Sequence, residues 1–137
     1  RYKLIGLDTN IFIYHFEDNS KFINYTQLVF EGLSKNKFKA VTSVISLTEA
    51  LSYPSSPKIL AGIEESFRTT PNLTICDIDH DLAVDAAKIR RKYGFRLPDA
   101  VQLATALRSK AQAFVSNDKR ITKFKEFSII LLSDIRN

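Results

Sequence analysis

YKLIGLDTNIFIY, residues 2–14, places an acid between two apolar runs. The first run is typical of a buried β-strand, and the second contains Ile11 and Phe12. Asp8 stands where the strand is expected to end. A turn or a helix cap explains an acid at this point, and so does a metal site. The rest of the chain has to distinguish these explanations.

Short apolar strands alternate with helices along the whole chain. Because the strands are apolar throughout, the pattern indicates a parallel sheet covered by helices on both faces. We therefore predict a single domain over residues 1–137, a three-layer α/β/α sandwich with a central, mostly parallel sheet. The predicted strands span residues 2–7, 38–42, 72–78, 113–116 and 128–132, and the predicted helices span 22–35, 44–52, 57–67, 80–93, 99–110 and 118–124.

Three residues are placed to begin or end these helices. Ser43 can cap the helix over residues 44–52. Gly94 follows the helix 80–93 and is typical of the left-handed position after a helix. Pro98 is expected in the first turn of the next helix, where its missing N–H costs nothing.

The composition is that of an ordinary globular protein, with 45% hydrophobic and 26% charged residues among 137. No apolar run approaches the roughly 20 residues that a membrane helix requires. The single cysteine, Cys76, cannot form an internal disulfide, which fits a cytoplasmic location.

The chain has a net charge of +5, and its basic residues include two clusters. KIRRKYGFR, residues 88–96, contains five basic residues and no acid, and a second group lies in residues 119–125. Such clusters indicate a polyanionic partner, because nucleic-acid affinity comes largely from cations placed against phosphates. A solvated helix face explains them equally well at this point.

Two acids are expected to open onto the same edge of the sheet. Asp8 follows the first strand directly, and Asp118 follows the strand 113–116 by two residues. Ligands of parallel sheets bind beyond the carboxyl ends of the strands. Each acid alone is explained as a cap or turn residue, but their common position favours a site.

Two further acids lie on predicted helices. Asp99 is in a first helical turn, where a carboxylate interacts favourably with the helix dipole. It also shares the apolar stripe of Leu103 and Ala106, so we expect it to point inward. Glu49 lies away from the centre of its helix's apolar stripe, and taken alone it is typical of a solvated glutamate.

Carboxylates gathered at one edge would repel one another unless a cation were present. Their oxygens suit a hard ion, Mg²⁺ or Mn²⁺, and such an ion is suited to phosphoryl chemistry. Zinc is disfavoured because His15, His80 and Cys76 lack metal-site spacing. The predicted ligands of a magnesium or manganese ion are the four acids Asp8, Glu49, Asp99 and Asp118.

Four motifs resemble, in order and spacing, those of the PIN-domain family of nucleases. They are LDTNIFIY (7–14), TSVISLTEAL (42–51), RLPDAVQLATAL (96–107) and AFVSNDKRI (113–121). Within the family, the chain most resembles the VapC-type toxins of bacterial and archaeal toxin–antitoxin pairs. The resemblance implies that the same four acids are catalytic. It also implies that Asn10 and Ser116 orient them.

The activity that this resemblance implies is metal-dependent endonucleolytic cleavage of RNA, leaving a 5′-phosphate and a 3′-hydroxyl. Asp8, Asp99 and Asp118 would hold the principal metal, and Glu49 would assist. The resemblance further implies a small cognate antitoxin and a homodimer. Candidates for holding the RNA backbone are the basic residues Arg90, Arg91, Lys92, Arg96, Lys119 and Arg120.

Other functions compete with this one. A phosphatase of the haloacid-dehalogenase type needs a second Asp two residues after the first, and Asn10 stands there. The chain has no Gly-rich phosphate loop followed by Lys, which argues against a P-loop NTPase. Two alternatives stay open: a scaffold of the same fold that binds RNA or metal without cleavage, and an RNA-processing nuclease without an antitoxin.

Overall fold

The computed structural model describes residues 2–136, and within them five strands form one sheet. The strand order is β3-β2-β1-β4-β5, and all neighbouring strands are parallel. The prediction of a parallel central sheet is therefore confirmed. The strands are β1 (Leu4–Leu7), β2 (Lys39–Ser43), β3 (Leu73–Cys76), β4 (Ala113–Ser116) and β5 (Ser128–Leu131).

Six α-helices and a short 3₁₀ helix at Lys119–Lys123 connect these strands within the described residues. The predicted helices are all present: the helix 80–93 has the predicted bounds, and the others have shifted ends. A further helix at Thr9–Phe16 was not predicted. The helices are α1 (Thr9–Phe16), α2 (Ile23–Ser34), α3 (Ile45–Leu51), α4 (Pro57–Thr69), α5 (His80–Tyr93) and α6 (Leu97–Arg108). No helix in this part of the chain is long and apolar enough to cross a membrane.

The helices cover both faces of the sheet, as a three-layer α/β/α fold requires. Ile5 and Leu7 of β1 pack with α1, α2 and α4 on one face. Phe114 of β4 packs with α5 and α6 on the other. Because successive side chains of a strand point to opposite faces, each central strand contributes to both cores.

Helix α6 approaches the centre of the sheet closely, and a glycine makes this possible. A Cβ atom on Gly6 of β1 would lie 2.6 Å from Cδ1 of Phe114 and 2.8 Å from Cβ of Ala106. Both neighbours are buried and cannot retreat. The missing side chain therefore sets the distance between α6 and β1.

Local signals explain several helix ends. Gly94 adopts φ +75° directly after α5, as predicted. Pro98 lies in the first turn of α6. The Ser43 hydroxyl accepts a hydrogen bond from the Ile45 amide (3.1 Å), so it supports the start of α3, although this helix begins one residue later than expected.

The order of the strands creates a crevice at the middle of the sheet. The chain builds β1, β2 and β3 towards one edge, then crosses to place β4 and β5 on the other side of β1. The carboxyl ends of β1 and β4 consequently diverge to helices on different sides. Open parallel sheets bind ligands at such a reversal.

Candidate active site

Asp8 lies at this crevice, directly after β1. It is only 6% exposed and caps α1, with Oδ1 accepting a hydrogen bond from the Thr9 amide (2.9 Å). Its Oδ2 accepts one from the Ser116 hydroxyl (2.8 Å). Asp8 is thus both the helix cap and a buried carboxyl at the predicted edge.

Ser116 connects two of the predicted acids. Its hydroxyl donates to Asp8 and accepts a hydrogen bond from the Asp118 amide (3.1 Å). The residue is fully buried at the end of β4. This contact with Asp8 is the kind of orienting contact that the family motif implies.

Asp99 is held in the first turn of α6. It is 6% exposed, which confirms the expectation that it points inward. Its Oδ2 is 3.1 Å from Nε of Arg96, the residue before the helix. This hydrogen bond raises the pKa of Arg96, because it favours the charged guanidinium.

Asp118 forms a similar pair with the 3₁₀ helix that follows it. Its Oδ2 is 2.6 Å from Nη2 of Arg120, and its side chain is 21% exposed. Hydrogen bonding from Arg120 lowers the pKa of Asp118. The two ion pairs are close to each other, since the Asp118 charge also acts on Arg96, and the Asp99 charge acts on Arg120.

Glu49 is tethered rather than solvated. It lies half-buried on α3, and its Oε1 accepts a hydrogen bond from the Thr9 hydroxyl (2.6 Å). Taken alone, its position on the helix had suggested a solvated glutamate. The apolar stripe of α3 could not show this contact, because the partner stands 40 residues away at the start of α1.

The electrostatics of Asp8 place three acids in one neighbourhood. The pKa of Asp8 is raised to about 6, mainly by burial and in addition by the charges of Asp99 and Glu49. Hydrogen bonds from Ser116 and Thr9 act in the opposite direction. A buried carboxyl beside like charges is an environment that a divalent cation would relieve.

The four acids do not converge on one point. Within residues 2–136, no three carboxylate, imidazole or thiol groups are placed to hold a metal ion. Asp99 and Asp118 are bonded to arginines instead, and Glu49 is bonded to Thr9. The donor chemistry nevertheless fits a hard ion, because the charged groups that act on buried Asp8 are the carboxylates of Asp99 and Glu49.

The other predicted site residues are distributed differently. Asn10 is exposed in the first turn of α1, and within the described residues its side chain has no hydrogen bond to the acids. Its orienting role stays a prediction. Of the six basic candidates, only Arg96 and Arg120 are bonded to site acids. The remaining four are exposed on α5 and the 3₁₀ helix: Arg90, Arg91, Lys92 and Lys119.

The sequence motifs did not identify one functional candidate, Gln102. Gln102 is 1% exposed in the middle of α6 and donates a hydrogen bond to the Thr9 hydroxyl (3.1 Å). A polar amide inside the apolar stretch DAVQLATAL, three residues after Asp99, was the signal that could have identified it.

Comparison with known proteins gives one family. The model of the PIN domain matches residues 5–127. No curated protein shows a significant match to the chain.

Solved structures with the same fold include three bacterial complexes. A VapBC2 complex from Rickettsia felis, bound to a DNA fragment of its promoter, has a TM-score of 0.73 at 18% identity, covering 93% of this chain and 98% of that one. A toxin–antitoxin complex from Klebsiella pneumoniae has a TM-score of 0.71 at 20% identity, with coverages of 96% and 99%. DNA-bound VapBC from Salmonella typhimurium has a TM-score of 0.68 at 19% identity, also covering 96% and 99%.

Proposed function

The chain belongs to the PIN-domain family, and on that basis we propose that it is a Mg²⁺- or Mn²⁺-dependent endoribonuclease. The observation that carries the proposal is the environment of Asp8, a buried carboxyl whose pKa is raised by burial and by Asp99 and Glu49. Perturbed carboxyls at the carboxyl edge of a parallel sheet are typical of functional sites. PIN-domain nucleases generally use divalent metals.

The residues that would hold the metal are Asp8, Asp99 and Asp118, with Glu49 assisting. When bound, such an ion lowers the pKa of coordinated water and stabilises negative charge on a phosphate. The protein contributes the fixed orientation of Asp8, which the Thr9 amide and the Ser116 hydroxyl hold from two sides. Ser116 also holds the backbone of Asp118 next to it.

Arg96 and Arg120 would bind the RNA backbone beside these acids. Each guanidinium already lies within the site, bonded to a carboxylate. A guanidinium binds a phosphate with the same forked geometry as a carboxylate. We therefore infer that these two residues hold the phosphates nearest to the cleaved bond.

Basic side chains and aromatic rings also occur together just before Arg96 in the chain. The Lys123 ammonium is 5.6 Å from the centre of the Phe95 ring, and the Lys92 ammonium is 5.3 Å from that of Tyr93. The Tyr93 and Phe95 rings stack on each other with centroids 5.2 Å apart. Phe95 is buried and Tyr93 is only half-buried, so the accessible part is the Tyr93 ring with the lysines beside it. An accessible aromatic ring next to positive charge suits a single-stranded nucleic acid.

We further propose that the enzyme is the toxin of a toxin–antitoxin pair and works as a homodimer in the cytoplasm. The support is the motif resemblance and the likeness in fold to the proteins in solved VapBC complexes. The proposed partner is a small antitoxin that covers the acidic site.

The decisive experiment is incubation of labelled RNA with the protein and Mg²⁺ or Mn²⁺, then with EDTA. We expect fragments with metal and none with EDTA. Asp99→Asn, which keeps shape and removes charge, should abolish cleavage, whereas Asp85→Asn, at an exposed acid of α5, should not. A fully active Asp99→Asn protein would reject the mechanism. An intact but shifted RNA band with the unmodified protein would identify a binding scaffold instead.

A further inference from the structure

Gln102 is a buried polar residue in a helix that is otherwise packed with apolar side chains. It is 1% exposed, and Leu103, Ala104 and Ala106 beside it are buried in the same core. A buried amide is unfavourable unless its donors and acceptor are hydrogen-bonded. The contacts of Gln102 therefore decide why this residue type stands here.

The orientation of the Gln102 amide is fixed by the backbone of β2. The Ser43 N–H donates to Oε1 of Gln102 (3.1 Å), so the oxygen must face β2; a flipped amide would oppose two donors. Nε2 is then directed to the Thr9 hydroxyl (3.1 Å) and the Ser46 hydroxyl (2.5 Å).

The orientation of this amide also fixes which way the neighbouring hydroxyl groups donate. The Thr9 oxygen accepts from Gln102, and its proton is donated to Oε1 of Glu49 (2.6 Å), because a carboxylate oxygen can only accept. The Ser46 proton goes to the Thr42 oxygen (2.7 Å), and the Thr42 proton goes to the Leu7 carbonyl (2.8 Å). Among residues 2–136, no buried side-chain polar atom lacks a partner.

This network joins three of the four elements that carry the acids. Gln102 lies one helical turn after Asp99 on α6, while Thr9 directly follows Asp8. Ser46 precedes Glu49 by one turn on α3. We propose that Gln102 is a positioning residue that directs the Thr9 hydroxyl to Glu49 and so holds Glu49 in place relative to Asp8 for metal binding. The inference rests on the proposed function.

The test replaces Gln102 by methionine, which keeps the length of the side chain and removes its hydrogen bonds. The matched control is Thr105→Val on the same helix, because the Thr105 hydroxyl is equally buried but bonds only to the Val101 carbonyl (2.8 Å). Calorimetric titration with Mn²⁺ should show about tenfold weaker binding for Gln102→Met and unchanged binding for Thr105→Val.

A double-variant comparison separates positioning from general destabilisation. If Gln102 acts through Glu49, then Gln102→Met should not weaken Mn²⁺ binding further in a Glu49→Gln background. Thr9→Val removes the hydroxyl that links Gln102 to Glu49, so it should weaken Mn²⁺ binding as Gln102→Met does. The carboxyl ¹³C resonance of Glu49 in the metal-free protein should move in Gln102→Met and Thr9→Val, and stay in place in Thr105→Val.

Each result decides the inference. The inference is wrong if Gln102→Met changes neither the Mn²⁺ affinity nor the Glu49 resonance. It is also wrong if Gln102→Met weakens Mn²⁺ binding equally in the unmodified and the Glu49→Gln background. If Gln102→Met does not fold, the comparison of Thr9→Val with Thr105→Val replaces it. If the unmodified protein binds no Mn²⁺, the proposed function fails. The Glu49 resonance alone then decides whether Gln102 positions Glu49 through Thr9.

Discussion

Asp8 is a buried carboxyl in surroundings that disfavour its charge. Burial is the largest cause of its raised pKa, and the nearby Asp99 and Glu49 charges add to it. Two hydrogen bonds reduce this effect without removing it. Because folding raises the pKa of Asp8, the folded protein holds the Asp8 proton more tightly than the unfolded chain does. The contribution of Asp8 to stability is therefore greatest below its ordinary pKa of 3.8 and is lost as the pH rises through about 6.

Asp8→Asn should therefore stabilise the metal-free protein near neutral pH. A rise in pKa from 3.8 to about 6 corresponds to about 3 kcal/mol above pH 6, as an upper value, and to well under 1 kcal/mol below pH 4. Urea unfolding of both proteins between pH 4 and pH 7.5 measures the difference. Asp85→Asn controls for the change in net charge. A difference that does not grow with pH would show that Asp8 carries no such penalty.

At the scale of secondary-structure elements, features that depend on residues close together in the sequence could be predicted, and features that depend on distant residues could not. Helix α5 was predicted with its ends, because Gly94 follows it directly and its pattern is strong. Helix α1 was missed: it has eight residues, and its apolar run is compatible with either a strand or a helix. The close approach of α6 to β1 could not be predicted, because it depends on Gly6 meeting Ala106 of α6, a residue far away in the sequence.

Gly6→Ala should destabilise the protein by about 1–3 kcal/mol, because the new Cβ would overlap buried atoms of Phe114 and Ala106. Gly62→Ala is the matched control: nothing lies within 4 Å of a Cβ at that position in α4, so alanine should be neutral or stabilise the helix by up to about 1 kcal/mol. Urea unfolding measures both. Equal stability of Gly6→Ala and the unmodified protein would mean that α6 can move away from β1 without cost.

At the scale of the whole molecule, the site is assembled from four elements and the loops between them. The sequence allowed the acids to be placed at one sheet edge, because parallel strands end together. It could not reveal the hydrogen bonds that lead from Gln102 through Thr9 to Glu49, since these residues are distant in the sequence and meet only in the fold. The two arginine pairs, in contrast, join residues two and three positions apart. The same folding places Arg96 and Arg120 beside the acids, and Lys123 against the ring of Phe95, the residue before Arg96.

This arrangement predicts how RNA binding responds to salt. The binding constant should fall linearly with salt on logarithmic axes, and Lys123→Ala should reduce the slope by about 0.7, the value for one phosphate contact to a single strand. Lys35→Ala is the control, because Lys35 follows α2 at the opposite end of the sheet. Fluorescence anisotropy of a labelled RNA, measured with the Asp99→Asn protein to prevent cleavage, gives both slopes. Equal slopes for the two lysine variants would place the RNA elsewhere on the molecule.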